Sequence, residues 1–345
     1  MTPQRATELL RASQGRRVLL LGDLMMDEWV FGTVKRISPE APIPVVRMPL
    51  TDDARADKPG GAGNVAAILL SLGAAVRVVG LVGDDELGLR LKADLARRGA
   101  DVSGVLTDDS RPTTHKLRIL AGRQQLVRID TESTKPVAGA LADRLCETLR
   151  AGLREADVVL VADYAKGVLT SASLPPDLIA SARATGTPLC ADPKPANMDL
   201  LRGAWLVSPN EAEALEATGA GNGPSASLPP SSLPPSLLQA GQTLLSRLEA
   251  EAVFITRGER GIAVFCRDGT IAEAPTTVEP GSVGDGTGCG DAASAASALA
   301  LAAGASFLEA AELANAAGGV VSRFVGVHDP RPEEVVEWIA RGSDC

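Results

Sequence analysis

Short apolar runs alternate with helix-like segments along most of this chain, and this order constrains its fold more than any other feature. Parallel strands need a long crossover connection, usually a helix, so the alternation favours βαβ units. The runs predicted as strands of one mostly parallel sheet are Val18–Leu21, Val76–Val82, Val158–Val161, Pro188–Ala191, Trp205–Val207 and Val253–Thr256. The helix-like segments include Glu86–Arg98, Leu141–Leu153 and Leu244–Glu249. The sequence therefore predicts an α/β fold, a three-layer α/β/α sandwich.

Three segments depart from the alternation. Residues 29–48 and 113–129 are β-like and mix polar with apolar side chains, and we expect them to form a small β-sheet lid that projects from the core. Residues 219–235 are rich in Gly, Ser and Pro, which predicts a mobile surface loop. Because no internal repeat is apparent and that loop is short, residues 1–345 are expected to form one domain.

Composition narrows the function classes. A formal charge of −9 gives no basic footprint for nucleic acid, so nucleic acid is not an expected partner. The five cysteines include no C-x-x-C pair, which favours reduced thiols and excludes familiar zinc spacings. The apolar run Val18–Leu21 is too short for a signal peptide or a membrane span. A cytoplasmic enzyme without membrane contact is therefore expected.

Residues 284–291 form the most informative motif, Gly-Asp-Gly-Thr-Gly-Cys-Gly-Asp, directly before the alanine-rich run Ala292–Ala303. That run predicts a helix, and the amides of Gly288, Cys289 and Gly290 at its N-terminus would form an anion hole for a transferring phosphoryl group. Asp291 is then interpreted as the general base that activates a substrate hydroxyl. The alternative is a flexible turn in which Asp291 is only an N-cap.

A second glycine cluster, Pro59-Gly60-Gly61-Ala62-Gly63-Asn64, again precedes an apolar run of helical character. Two such loops suggest two substrates. Together these segments resemble the ribokinase-like (PfkB) carbohydrate kinase family, and the resemblance extends from Val18 to about Gly326. It implies ATP as phosphoryl donor, a Gly-Gly-x-Gly-Asn type segment at the sugar, and a homodimer formed through the lid.

Within that family the closest similarity is to the bacterial D-glycero-β-D-manno-heptose 7-phosphate kinases of lipopolysaccharide core synthesis. It rests on the segments 21–29, 36–45, 114–118, 123–130 and 163–167. The sugar-binding residues implied are Asp27, Gly60, Gly61, Asn64, Lys116, Arg118, Gln125, Arg128, Asp163 and Lys166. Met25 stands where simple ribokinases carry Asn, which argues against ribose.

An already phosphorylated sugar needs fixed positive charge, which several of these cations would supply together with Arg123 and Lys194. The alternative for each is a solvated surface charge.

The resemblance also assigns the nucleotide half. Asn210 and Glu213 match an Asn-x-x-Glu element that organises Mg²⁺, partly through water, although exposed acids at a helix start are the alternative. Asn315 matches a segment near adenine, with helix packing as its rival role. The full set of implied ATP-binding residues is Lys194, Asn210, Glu213, Thr256, Arg257, Gly258, Gly261, Asp285, Thr287 and Asn315.

The sequence thus leads to the hypothesis of an ATP- and Mg²⁺-dependent kinase that phosphorylates heptose 7-phosphate at the anomeric hydroxyl. The alternatives are another PfkB kinase, acting on a fructose phosphate, fructose or ribose, and a sugar-phosphate-binding regulator without turnover. Some heptose kinases carry a fused nucleotidyltransferase with a His-x-Gly-His site. His115 and His328 are the only histidines here, so that second activity is not expected.

Overall fold

The computed structural model describes residues 1–49, 51, 54–122, 124–220, 233–276, 286–324 and 326–343. Its strands are β1 (Arg17–Gly22), β2 (Leu24–Ile37), β3 (Pro44–Arg47), β4 (Arg55–Gly61), β5 (Ala75–Gly83), β6 (Asp101–Asp108), β7 (Thr114–Ala121), β8 (Gln124–Thr131), β9 (Val158–Ala162), β10 (Leu189–Asp192), β11 (Leu206–Val207), β12 (Ala252–Thr256), β13 (Ile262–Cys266) and β14 (Ile271–Ala274). Its α-helices are α1 (Pro3–Ala12), α2 (Ala62–Ser71), α3 (Glu86–Arg97), α4 (Gly139–Leu153), α5 (Leu178–Thr185), α6 (Glu211–Thr218), α7 (Pro235–Leu248), α8 (Cys289–Ala302), α9 (Phe307–Val321) and α10 (Pro332–Ser343).

The main sheet of the described residues has nine strands in the order β14-β13-β12-β11-β10-β9-β1-β5-β6. The strands from β12 through β6 run parallel, and β13 and β14 extend the sheet as antiparallel edge strands. The six predicted strands correspond to β1, β5, β9, β10, β11 and β12. The predicted helix over 244–249 is the end of the longer α7.

Helices cover both faces of this sheet, and side chains of β1 alternate between the two layers. Val18 and Leu20 pack into the core formed with α2, α3, α8, α9 and α10, whereas Leu19 and Leu21 pack into the core formed with α4, α5, α6 and α7. Such two-sided burial explains why the central strands are continuous apolar runs. The predicted α/β/α sandwich is confirmed.

The second sheet is a lid of five described strands, in which β3, β2, β7 and β8 are neighbours in that order and β4 pairs with β2. Strand β2 begins in the core and becomes exposed toward its end at Ile37. Strands β2, β3, β7 and β8 overlap the two segments expected to form the lid, residues 29–48 and 113–129. However, β2 starts before residue 29, and β4, which ends at the Gly60-Gly61 pair, was not predicted.

Most of the predicted low-complexity loop, residues 221–232, lies outside the described residues. Among the described helices, none has the length and apolar character needed to span a membrane.

Candidate active site

Asp291 lies on the first turn of α8, where two distant side chains hold its carboxylate. Asn64 Nδ2 donates to Oδ2 at 2.5 Å, and the Tyr164 hydroxyl donates to Oδ1. Burial raises the pKa of Asp291, and these two hydrogen bonds oppose that rise because they favour the ionised form. Both oxygens are therefore oriented, and each has a further lone pair with which to accept a proton.

The turn before Asp291 has open space at two of its three glycines. Gly288 caps α8 with a φ of +82°, in the left-handed region that favours glycine. A Cβ at Gly286 or Gly290 would meet no other described atom within 4 Å. The Cys289 amide donates to the Gly286 carbonyl at 3.3 Å and closes the turn.

The predicted anion hole thus lies at the N-terminus of α8. Phosphate contacts by its three residues, and by Thr287 beside them, stay predictions. The predicted Asp285 lies outside the described residues.

Asp27 on β2 is the buried acid of the predicted sugar side. Its side chain is 9% exposed, and Arg118 Nη1 on the neighbouring strand β7 lies 2.5 Å from Asp27 Oδ1. The Arg118 guanidinium also lies 5.1 Å from the ring centroid of Trp29. Gly60 leaves room for the carboxylate, and Gly61 has a φ of +55° at the start of α2. The glycine pair therefore lets the backbone approach Asp27 closely.

The lid cations are paired with lid carboxylates. Lys116 Nζ lies 3.0 Å from Asp130 and 3.4 Å from Glu132, and Lys166 Nζ lies 2.7 Å from the other Glu132 oxygen. Arg128 Nε lies 2.9 Å from Asp130. These three cations were predicted to supply positive charge for a substrate phosphate, but in the structure each already pairs with Asp130 or Glu132. Gln125 is exposed on β8, and Arg123 lies outside the described residues.

Asp163, predicted to contact the sugar, has a structural role. It is 2% exposed, and its carboxylate accepts from the Ala165 amide, the Lys194 amide and Asn197 Nδ2, each at 2.9 Å. A buried carboxylate with three donors stabilises the loops after β9 and β10. A contact between Asp163 and the sugar stays a prediction.

Acidic side chains gather at the end of β10. Asp192 accepts from Ser294 Oγ of α8 at 3.1 Å, and burial raises its pKa to about 7. Glu213 and Asp291 raise this pKa further, and Lys194 opposes them. Lys194 Nζ in turn lies 2.5 Å from Glu213 Oε1 and 5.7 Å from the Tyr164 ring centroid.

Asn210 and Glu213, the predicted magnesium residues, form a capping box at the start of α6. The Asn210 amide donates to Glu213 Oε2 and the Glu213 amide donates to Asn210 Oδ1, both at 2.9 Å. The helix-start role, weighed as the alternative, is therefore present. It leaves lone pairs on both side chains for water or metal.

A cavity of about 290 Å³ adjoins the glycine turn. Four predicted ATP-binding residues line it, together with two residues of the predicted anion hole: Thr256, Gly258, Gly261 and Asn315, with Cys289 and Gly290. Asn315 Nδ2 also donates to the Ala274 carbonyl at 2.6 Å, so it holds the end of β14 at the cavity.

Arg257 is a predicted ATP-binding residue in the turn after β12. Its guanidinium is buried and lies 2.6 Å from Glu273, so it connects this turn to β14. A contact with the nucleotide stays a prediction.

Tyr164, Asp192 and Asp23 were missed. Tyr164 lies in the segment 163–167 that follows β9, and Asp192 is the last residue of β10. Their position at the carboxyl ends of parallel strands was the available signal. Asp23 also follows such a strand. It accepts from the amides of Tyr164, Lys166 and Val168 at 2.8 to 3.1 Å.

Comparison with known proteins agrees with this geometry. The pfkB family carbohydrate kinase model matches residues 46–334. The chain belongs to the pfkB family of carbohydrate kinases. The expected enzyme class, an ATP-dependent sugar kinase, is thereby confirmed at the level of the family.

Curated relatives are similar over nearly the whole chain. It is 41% identical over 318 residues to the bifunctional protein HldE of Geobacter metallireducens, which covers 92% of this chain and 62% of the relative. It is 38% identical to HldE of Trichlorobacter lovleyi, covering 97% of this chain and 66% of the relative. The chain thus spans about two thirds of the length of these relatives.

Solved structures share the fold. A ribokinase of Arabidopsis thaliana, determined with ribose and ATP, has a TM-score of 0.71 at 21% identity, covering 94% of this chain and 99% of that one. Phosphofructokinase-2 of Escherichia coli, with substrates and products, has a TM-score of 0.70 at 18% identity, covering 95% and 99%.

Proposed function

We propose that this chain transfers the γ-phosphoryl group of ATP to the anomeric hydroxyl of D-glycero-β-D-manno-heptose 7-phosphate. One observation carries the proposal. Asp291 lies at the junction of the two half-sites, next to the cavity-lining Cys289 and Gly290 and bonded to Asn64, which follows the glycine pair beside Asp27. A base at that junction faces both substrates.

The chemistry follows from this placement. Asp291 takes the proton of the anomeric hydroxyl while that oxygen bonds to the γ-phosphorus, and the bond to the bridging oxygen of ADP breaks. The amides at the start of α8 stabilise the negative charge of the transferring group. Asp27, fixed by Arg118, orients the sugar hydroxyls.

We assign the magnesium ion to the residues around Asp192. Mg²⁺ prefers oxygen ligands and retains waters, and the carboxylates of Asp192 and Glu213 both interact with Lys194. The high pKa of Asp192 indicates that a cation would be favourable there. Asp192, Glu213 and Asn210 would hold the ion, partly through water, and it would neutralise phosphate charge when bound.

The phosphate of the acceptor sugar is assigned to Lys116 and Lys166. Both lie at the lid within reach of Glu132, so a substrate phosphate would replace that carboxylate as their partner. The sequence resemblance to heptose 7-phosphate kinases and the HldE relatives support this choice.

A kinase for an unphosphorylated sugar is the second candidate. It is favoured by the ion pairs of Lys116 with Asp130 and of Lys166 with Glu132, because a neutral sugar needs no unpaired cation in the lid.

A phosphotransfer assay decides between the two. Heptose 7-phosphate, unphosphorylated heptose, fructose 6-phosphate, fructose and ribose are compared by kcat/KM with ATP and Mg²⁺. A clear preference for heptose 7-phosphate supports the first proposal, and equal or better use of a neutral sugar supports the second. No turnover with any sugar, together with tight sugar-phosphate binding, would favour a regulator.

We also propose a homodimer formed through the lid. Apolar side chains stay exposed on its strands and connections, including Ile37 at 59%, Ile43 at 57% and Ile129 at 48%. Several exposed apolar side chains on one small sheet favour a protein–protein interface. Sedimentation analysis of wild type and of Ile37→Ser/Ile129→Ser tests it, and a wild type that stays monomeric at high concentration would exclude it.

A further inference from the structure

The loop after β9 places a side chain that the proposed reaction does not yet use. Tyr164 is the single tyrosine of the sequence, and its hydroxyl donates to Oδ1 of Asp291, 127 positions away. Its ring lies beneath the Lys194 ammonium. The hydroxyl of Tyr164 is therefore held at the carboxylate of Asp291, and not in the apolar core.

The loop is built to hold this position. Buried Asp23 accepts from the amides of Tyr164, Lys166 and Val168, and buried Asp163 accepts from the Ala165 amide. Ala165 has a φ of +56°, a conformation that costs free energy for a residue with a Cβ. Two buried carboxylates therefore stabilise a strained turn whose outcome is the placement of Tyr164.

The hydroxyl is a donor at every working pH. Burial, and next the negative charge of Asp291, raise the pKa of Tyr164 well above its usual value. A neutral phenol can give Asp291 a hydrogen bond without competing for the proton that Asp291 must take.

We propose that Tyr164 is a positioning residue of the phosphotransfer reaction, which together with Asn64 orients the Asp291 carboxylate so that the acceptor hydroxyl meets a defined lone pair. Asn64 holds one oxygen and Tyr164 the other, so loss of either donor frees the carboxylate to rotate. This inference rests on the proposed function in that Asp291 is the base. It requires no particular sugar.

The charged groups facing Asp291 come from several elements and affect any pH measurement. They are Asp27 from β2, Asp192 at the end of β10 and Lys194 just after it. A substitution at Tyr164 leaves all three in place.

The kinetic test compares Tyr164→Phe with wild type, using the best accepted sugar. Phenylalanine keeps the ring under Lys194 and removes only the donor. We expect kcat to fall about tenfold, the cost of one charge-assisted hydrogen bond, with the KM for ATP unchanged. The acidic limb of the kcat/KM profile should move to higher pH, because a hydrogen bond to the ionised base is lost. An unchanged kcat and an unchanged limb would overturn the proposal.

A second measurement needs no turnover. With tyrosine labelled at ¹³Cζ, the wild-type protein gives one tyrosine resonance, which should shift as Asp291 titrates. Asp291→Asn should abolish that shift, whereas Asp192→Asn should leave a shift in place. A resonance that is insensitive to Asp291→Asn would refute the contact. If the contact is present but no sugar is phosphorylated, the proposed function fails and the pairing stands.

Discussion

Gly60 lies against the carboxylate of Asp27, so closely that a Cβ on Gly60 would come within 2.1 Å of Asp27 Oδ2. Asp27 cannot move away freely, because Arg118 holds its other oxygen at 2.5 Å. Position 60 therefore requires glycine because Asp27 lies against it on the paired strand β2. Gly60 and Asp27 depend on each other in the proposed sugar site.

Gly60→Ala is expected to displace Asp27 and raise the KM for the sugar about tenfold or more, with nucleotide affinity little changed. Steady-state kinetics and nucleotide titration measure both quantities. A double-mutant cycle with Asp27→Ala provides the control, since the clash disappears with the carboxylate. If Gly60→Ala costs as much in the Asp27→Ala background as in wild type, the explanation is wrong.

Asp291→Asn should lower kcat by about 10²- to 10⁴-fold with little change in nucleotide affinity, because only proton transfer is lost. The substitution is nearly isosteric, and the Tyr164 hydroxyl or the Asn64 amide can reorient toward the new amide. Thermal unfolding of the variant is the control. Turnover equal to that of wild type would remove Asp291 from the role of base.

The main sheet was predictable because its central strands are buried on both faces, so each appears as a run of apolar residues. Strand β4 was not, since the Pro-Gly-Gly sequence is typical of a loop. Pro59 is accommodated there because β4 lies at the edge of the lid. Strands β13 and β14 were not predicted either. They follow the turn at Gly258 and Gly261, which was interpreted only as a nucleotide-binding segment.

The glycine motifs identified the base and the two half-sites, but not the partners of the charged residues. Lys116 faces Asp130 because of the register between β7 and β8, and register depends on the folded lid. Tyr164 reaches Asp291 because the carboxyl end of β9 and the start of α8 meet above the sheet. Neither contact can be predicted from one sequence, because each depends on how distant segments come together in the fold.

Asp192 makes stability depend on pH. Its pKa is raised to about 7 by burial, so the folded protein binds a proton more tightly than the unfolded chain does. The resulting loss of stability grows as pH rises from about 4 to about 7 and is complete above that range. Asp192→Asn still accepts a hydrogen bond from Ser294. At about pH 8 this variant should therefore unfold at a higher temperature than wild type, and in acid both proteins should unfold at the same temperature.

Melting curves of both proteins across this range check the prediction. Equal melting temperatures at every pH would show that Asp192 is not strained by its burial.

Magnesium should reduce that difference. If Asp192 helps to hold the ion, Mg²⁺ with a nucleotide should stabilise wild type more than Asp192→Asn at neutral pH, because ligand binding to the folded state raises its stability. Asp101→Asn is a matched control, since that acid lies on β6 and pairs with Arg77 away from the site. Equal stabilisation of Asp192→Asn and wild type by Mg²⁺ would contradict the assignment.

Substitution of Lys166 tests recognition of the substrate phosphate more specifically than substitution of Arg118 does. Removing Arg118 would leave the buried Asp27 without its partner and weaken the binding of every sugar.

Lys166→Met removes one charge that contacts Glu132 at the lid. It should weaken the transition-state binding of heptose 7-phosphate by a few kcal/mol and that of unphosphorylated heptose by little. Glu132→Gln should act in the opposite direction and lower the KM for heptose 7-phosphate, because both lysines lose a competing carboxylate. Glu155→Gln, in the connection between α4 and β9 and paired with Arg77, is the control. Kinetics of the three variants with both sugars measure the discrimination, and parallel effects on the two sugars would mean that these lysines do not bind the phosphate.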